Sequence, residues 1–212
     1  MRVAVIFLIV ASTIATTTLG TNTSLVDLVV EAGWVRQIVA VGRCDEGEVG
    51  FEGTAVLLSS GWWLTACHVF QCDGEFVRDL TLQLDGKEAP LTSAPICHPT
   101  LDLAAFKLGS SFPGGVEVCS APINVGGHVW IAGFWHHRIA LLEGVVAKKR
   151  RGELWIHPYE PVPEGMSGSA VLNDEGRLVG ILIAKITKTL TVLVVEVNSE
   201  VISVLLNSTE RG

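Results

Sequence analysis

The sequence predicts an all-β fold. Short β-branched and aromatic runs recur at close spacing, glycine and polar turns separate them, and no long amphipathic helix intervenes. Trp34 to Val41 reads as a strand ended by the polar turn Arg43–Glu48, and Phe51 to Leu58 follows. Ser59-Ser60-Gly61 then turns the chain into Trp62–Ala66. Leu80–Leu84 and Leu103–Leu108 continue the pattern, then Val129–Phe134, Ile139–Ala147, Leu154–His157, Ala170–Leu172, Leu178–Ile186 and Leu190–Val197. About twelve such strands fit a barrel or a sandwich. Helical spacing occurs at the end, where Ser199 is placed to cap Glu200–Leu206 and Val201, Val204 and Leu205 form an i, i+3, i+4 stripe. No internal repeat is present. The Ser, Pro and Gly cluster at Ser110–Gly115 divides the chain into halves at 30–112 and 113–198, with the helix at 199–207.

At 212 residues, 49% hydrophobic and 17% charged, the chain can bury a substantial core. A net charge of −7 argues against a general nucleic-acid binder, which needs a basic surface. Lys148-Lys149-Arg150-Arg151 runs into Gly152 between two strand-like stretches, so it reads as a solvated hairpin tip; a dibasic processing site is the alternative.

Residues 1–20 have the layout of a secretory signal peptide: Met1-Arg2, an apolar run from Val3 to Val10 and beyond, then small and polar residues. This predicts a secreted or otherwise extracytoplasmic protein, with a membrane tether only if the leader stays uncleaved. Export permits disulfides, and the five cysteines (Cys44, Cys67, Cys72, Cys97 and Cys119) leave at least one outside any intramolecular pair. None has metal-finger spacing, and their connectivity is open. Asn22-Thr23-Ser24 and Asn207-Ser208-Thr209 fit a glycosylation acceptor if the source is a eukaryotic secretory pathway.

Three segments carry chemistry. Gly165-Met166-Ser167-Gly168-Ser169 sets a serine between glycines; alone it is equally a turn or a nucleophile. A serine hydroxyl needs an adjacent base and a group to orient that base. His68, in "GWWLTACHVF", ends an apolar strand as it enters a polar loop. Asp102, in "HPTLDLAAFKL", leads straight into an apolar strand, a costly place for a carboxylate unless a hydrogen-bonding or cationic partner needs it there.

"LTACHVF", "DLAAFKL" and "GMSGSAV" resemble the histidine, aspartate and nucleophile motifs of the chymotrypsin-like serine proteases, and they occur in that family's chain order. The resemblance covers most of residues 30–206. Gly-x-Ser-Gly-Ser and "DEGRLVGI" are most similar to the compact branch of HtrA-type proteases, glutamyl endopeptidases and viral chymotrypsin-like proteases. It implies two six-stranded antiparallel β-barrels with a short C-terminal helix, a polypeptide substrate, and no metal or organic cofactor. It implies a Ser167 nucleophile, a His68 base, an orienting Asp102, and an oxyanion hole from the N–H groups of Gly165 and Ser167. It further implies that Cys67, at a position that is small and buried in the family, is the unpaired thiol, and that the disulfides are Cys44–Cys72 and Cys97–Cys119.

Departures from the family pattern matter. Met166 stands where many members carry the aspartate that pairs with a newly cut N-terminus, so that activation switch is not expected. Ile183 stands where many place a serine against the aspartate, so Asp102 must be held by another group. The first pocket maps to Pro161, Val162, Leu182, Ile183 and Ala184, which predicts small or medium apolar residues before the cut. The segment after Ser167 is too short for the peptide-binding domain of HtrA-type enzymes. His136-His137 reads as a strand-end loop, and His98, His128 and His157 as surface or strand-end residues. An α/β-hydrolase would need Gly-x-Ser-x-Gly and intervening helices, but residue 169 is serine. A catalytically silent protease-fold binding module is the remaining alternative.

Overall fold

The computed structural model describes Val29, residues 32–186 and residues 190–207. The leader, the acceptor site at Asn22 and the end of the site at Asn207 lie outside the described residues. The first half contains β1 (Val35–Cys44), β2 (Gly47–Leu57), β3 (Trp63–Thr65), β4 (Gln71–Cys72), β5 (Glu75–Phe76), β6 (Arg78–Leu84), β7 (Lys87–Glu88), β8 (Ile96–Cys97) and β9 (Ala104–Phe106). The second contains β10 (His128–Trp135), β11 (Arg138–Arg150), β12 (Glu153–Pro158), β13 (Ala170–Leu172), β14 (Leu178–Lys185) and β15 (Val192–Glu196). Helix α1 (Ser199–Asn207) follows.

The second half is a closed six-stranded barrel in the order β10-β11-β12-β15-β14-β13. The first half is a seven-stranded sheet, β7-β6-β1-β2-β3-β9-β8, with β4 and β5 as a separate hairpin. The extra strands are two-residue pairings, too short to leave a periodicity in the sequence. In β2 the burial is unbroken from Gly53 to Leu57, because both faces of that stretch are covered. One apolar cluster fills the first half and reaches Ala132, Ala170, Leu172 and Ile181 of the second. Another fills the barrel interior around Val129, Ile131, Ile156, Val171 and Val194. The two halves therefore meet across apolar side chains, with β2, β10 and β13 at the junction.

Several local expectations change. The β11–β12 turn is Arg151-Gly152, both at positive φ, while Lys148 to Arg150 pair in the ladder with Trp155, Leu154 and Glu153. Lys149 is ion-paired with Glu196. Asn198, not Ser199, caps α1: its side-chain oxygen accepts the Val201 N–H at 2.9 Å.

The disulfide expectation is half corrected. Cys44 pairs with Cys72, but Cys67 pairs with Cys97, and Cys119 is the free cysteine. Strand register explains the second pair. Ala104 of β9 lies opposite Thr65 on one side and Cys97 on the other, which brings Cys67, two residues past Thr65, within 5.6 Å of Cys97 between Cα atoms. Cys119 instead donates to the Ala121 carbonyl at 3.2 Å and accepts from the Asn173 amide at 3.5 Å.

Candidate active site

The site is assembled from three loops. His68 lies in a 3₁₀ turn, Cys67–Phe70, that follows directly on β3. Asp102 ends the loop before β9, and Phe106 at the end of that strand anchors it: its ring packs against Trp63 (6.2 Å, stacked) and Phe70 (5.7 Å, edge-on). Ser167 lies in the turn before β13. The Cys67–Cys97 bond ties the histidine turn to the strand that leads into the aspartate loop.

These loops bring the three residues into a hydrogen-bonded chain. Asp102 Oδ2 lies 2.6 Å from His68 Nδ1, and His68 Nε2 lies 2.9 Å from Ser167 Oγ, across 99 positions of sequence. A carboxylate only accepts, so Nδ1 donates and Nε2 is left to receive the serine hydroxyl. Burial raises the Asp102 pKa, but hydrogen bonds from the His68 ring and backbone, the His68 charge and the Cys67 backbone outweigh it and hold the carboxyl below its usual value. The second support for Asp102, missing at Ile183, is thus the backbone of the histidine turn: Oδ1 accepts the His68 N–H at 2.9 Å.

Gly165 (φ 84°) and Gly168 (φ 87°) both occupy the left-handed region, for different reasons. A Cβ on Gly165 would meet open space, so only its dihedral demands glycine. A Cβ on Gly168 would fall 1.9 Å from the Thr54 carbonyl oxygen, so there the backbone of the first half also excludes a side chain. Met166 is buried in the barrel cluster with Val162 and Leu182, which leaves no charged group at that position for a chain terminus to pair with.

Thr54 went unnoticed in the sequence. It is fully buried, its N–H donates to the Ser167 carbonyl at 2.7 Å, and its hydroxyl accepts the Phe134 N–H at 2.9 Å. Its carbonyl accepts the Thr65 hydroxyl at 2.7 Å. One residue of β2 thereby positions the serine turn and β10 together. His98 is a second unpredicted positioning residue. Burial lowers its pKa, and its Nδ1 accepts the N–H groups of Thr100 (3.3 Å) and Leu101 (3.2 Å), which orders the loop carrying Asp102. His136 and His137 form a two-residue hairpin turn, both at positive φ, and His137 Nδ1 lies 2.7 Å from the Gln37 side-chain oxygen.

The residues expected to line the first pocket are dispersed. Val162 and Leu182 pack into the barrel core, Ile183 packs against the cluster that spans both halves, and Pro161 and Ala184 are exposed. Among the described residues no group of three or more His, Cys, Asp or Glu side chains is placed to hold a metal ion, and no helix is long and apolar enough to cross a membrane.

Residues 53–181, more than half of the chain and a span that includes His68, Asp102 and Ser167, match the family model described as a trypsin-like peptidase domain. The chain belongs to the trypsin-like peptidase family. No curated protein matches this family member by sequence. Among solved structures it is similar to the Rv3671c protease from M. tuberculosis in its active form, with a TM-score of 0.65 and 17% identity over 96% of this chain and 93% of that one. The inactive form of the Rv3671c protease gives a TM-score of 0.63 and 17% identity over 87% and 91%. At such identity the likeness speaks to the fold, a closed barrel packed against a second sheet.

Proposed function

We propose that this trypsin-like peptidase is a serine endopeptidase working outside the cytoplasm, with Ser167, His68 and Asp102 as its triad. The observation that carries the reading is the unbroken chain Asp102–His68–Ser167 at 2.6 and 2.9 Å. Ser167 Oγ attacks the carbonyl carbon of the scissile peptide while His68 Nε2 takes its proton, and Asp102 stabilises the resulting imidazolium. The carbonyl oxygen, now an oxyanion, is received by the N–H groups of Gly165 and Ser167, each such donor typically worth about 3–4 kcal/mol in the transition state. The C–N bond then breaks, His68 returns the proton to the leaving amine, and water activated by His68 hydrolyses the acyl-serine.

Two disulfides in the first half support an oxidising compartment, in keeping with the apolar leader. On its motifs we place the chain with the compact branch of the family. The burial of Met166 supports a site that forms without pairing to a cut N-terminus. Pro161, Ile183 and Ala184 favour a small or medium apolar residue before the cut.

A fluorophosphonate probe tests the reading. The folded wild type should label on Ser167, and Ser167→Ala should not. Folded wild type that fails to label would instead make the chain a silent binding module.

A further inference from the structure

A cavity of about 390 Å³ opens beside the serine turn and is unused by the chemistry above. Gly165 forms part of its wall, so a group held there is continuous with a substrate at Ser167. None of Pro161, Val162, Leu182, Ile183 or Ala184 lines it. The segment Leu182–Ala184 braces the serine turn: Gly168 N–H donates to Leu182 O (2.7 Å) and Leu182 N–H to Ser169 O (2.9 Å). On the proposed reading the acyl half of the substrate lies over Leu182–Ala184, and its leaving half then falls on the side of the cavity.

The walls are acidic and aromatic. Glu52 projects from β2, and Glu164 from the loop before the serine turn. Glu52 forms no ion pair among the described residues, and Glu164 has only Lys185 nearby, at 3.7 Å. Trp135 is 39% exposed at the rim, its ring 4.7 Å from that of His136, and an exposed indole face attracts cations. The rim is also built to stay in place. The Trp135–Arg138 hairpin is tied to the first half by His137 on Gln37 and by Phe134 on Thr54. Lys185 is the cation already beside Glu164, and Arg138 stands at the end of the same hairpin.

We propose that this cavity is a second specificity subsite, which takes a lysine or arginine side chain of the polypeptide on the leaving-group side of the scissile bond. Glu52 and Glu164 supply the charge and Trp135 the flat apolar contact. The proposal rests on the peptidase reading and adds a substrate class to it. The net charge of −7 further draws basic polypeptides to the molecule.

The test uses internally quenched decapeptides with fixed apolar residues before the cut and Lys, Arg, Ala or Glu at each of two positions after it. The cleaved bond is identified by mass spectrometry. At low salt, kcat/KM for the Lys or Arg peptides should exceed that for the Glu peptides by about tenfold, as expected for two solvent-exposed charge contacts and one ring contact. Glu52→Gln should cut that ratio about threefold, and the Glu52→Gln/Glu164→Gln double variant should bring it close to one. Glu200→Gln, on the C-terminal helix, should leave it unchanged. Equal rates for Lys and Glu in the wild type, or a ratio that survives the double variant, would overturn the subsite. Fluorophosphonate labelling of the same preparations separates the two readings. Labelling without a charge preference removes the subsite alone, whereas neither labelling nor cleavage removes both.

Discussion

Among the described residues two histidines bind an aspartate at the same distance, and only one of them faces a serine hydroxyl. His68 Nδ1 lies 2.6 Å from Asp102, and His128 Nδ1 lies 2.6 Å from Asp174. The difference is in what surrounds each pair. The Asp102 side chain is 33% exposed and is gripped by the backbone of the histidine turn; that of Asp174 is 68% exposed and shares its oxygen with the Trp130 indole N–H at 3.2 Å. His68 Nε2 meets a serine hydroxyl, whereas His128 Nε2 meets the Glu143 carboxylate at 3.7 Å. A histidine–aspartate contact is therefore not evidence of a general base. The group presented to the second ring nitrogen, and the rigidity behind the carboxylate, decide it.

Substitution should separate the pairs most sharply at the rings. His68→Ala is expected to reduce peptide hydrolysis by at least about 10⁴-fold, while His128→Ala stays within about twofold, measured as kcat/KM on one quenched peptide. A comparable loss in His128→Ala would break the contrast. The carboxylates come next. Asp102→Asn leaves the imidazole in the wrong tautomer and should cost about 10³–10⁴-fold in kcat, whereas Asp174→Asn should cost little.

The disulfide belongs to the first pair alone. Cys97→Ser opens a loop closed across 30 positions and should lower stability by about 2–4 kcal/mol in a urea titration, with hydrolysis lost before global unfolding. Thr54→Val keeps the N–H to Ser167 and strands the Phe134 N–H. We expect about 1–3 kcal/mol of destabilisation and a lower kcat at nearly unchanged KM.

The smallest effect is the pH dependence of stability. Both aspartates are held below their ordinary pKa: Asp102 as described, and Asp174 by the His128 hydrogen bond against burial, aided by Trp130 and the His128 charge. A carboxylate with a lowered folded pKa contributes stability above its unfolded value, and that contribution is lost as pH falls through the folded value. Below about pH 4 the urea midpoint should therefore fall, and Asp102→Asn should flatten that limb more than Asp174→Asn, because Asp174 is open to solvent screening.

Long strands and loop chemistry were legible in the sequence because each leaves a local trace. β10 to β12 show their apolar runs, and the serine, histidine and aspartate motifs stand in family order. What was hidden depends on partners far along the chain. Thr54 looks like any β-branched strand residue, and only the approach of the second half turns its N–H and hydroxyl into supports for Ser167 and β10. The Cys67–Cys97 pair follows from the register of β9 between β3 and β8, which no spacing announces. His98 looked like a strand-end residue, and its role appears only once the loop folds back to place two N–H groups on its ring. Asn198 and Ser199 are both good caps, so one residue of chain direction decided between them.

The division of the site between halves has a consequence for biogenesis. His68 and Asp102, with the disulfide beside them, belong entirely to chain made early, whereas Ser167 arrives with the later half and is seated by one β2 residue, Thr54. On the proposed reading, the emerging chain first carries a base with nothing to activate, and its nucleophile has no base until the halves dock. Proteolytic competence is then the last property this polypeptide acquires.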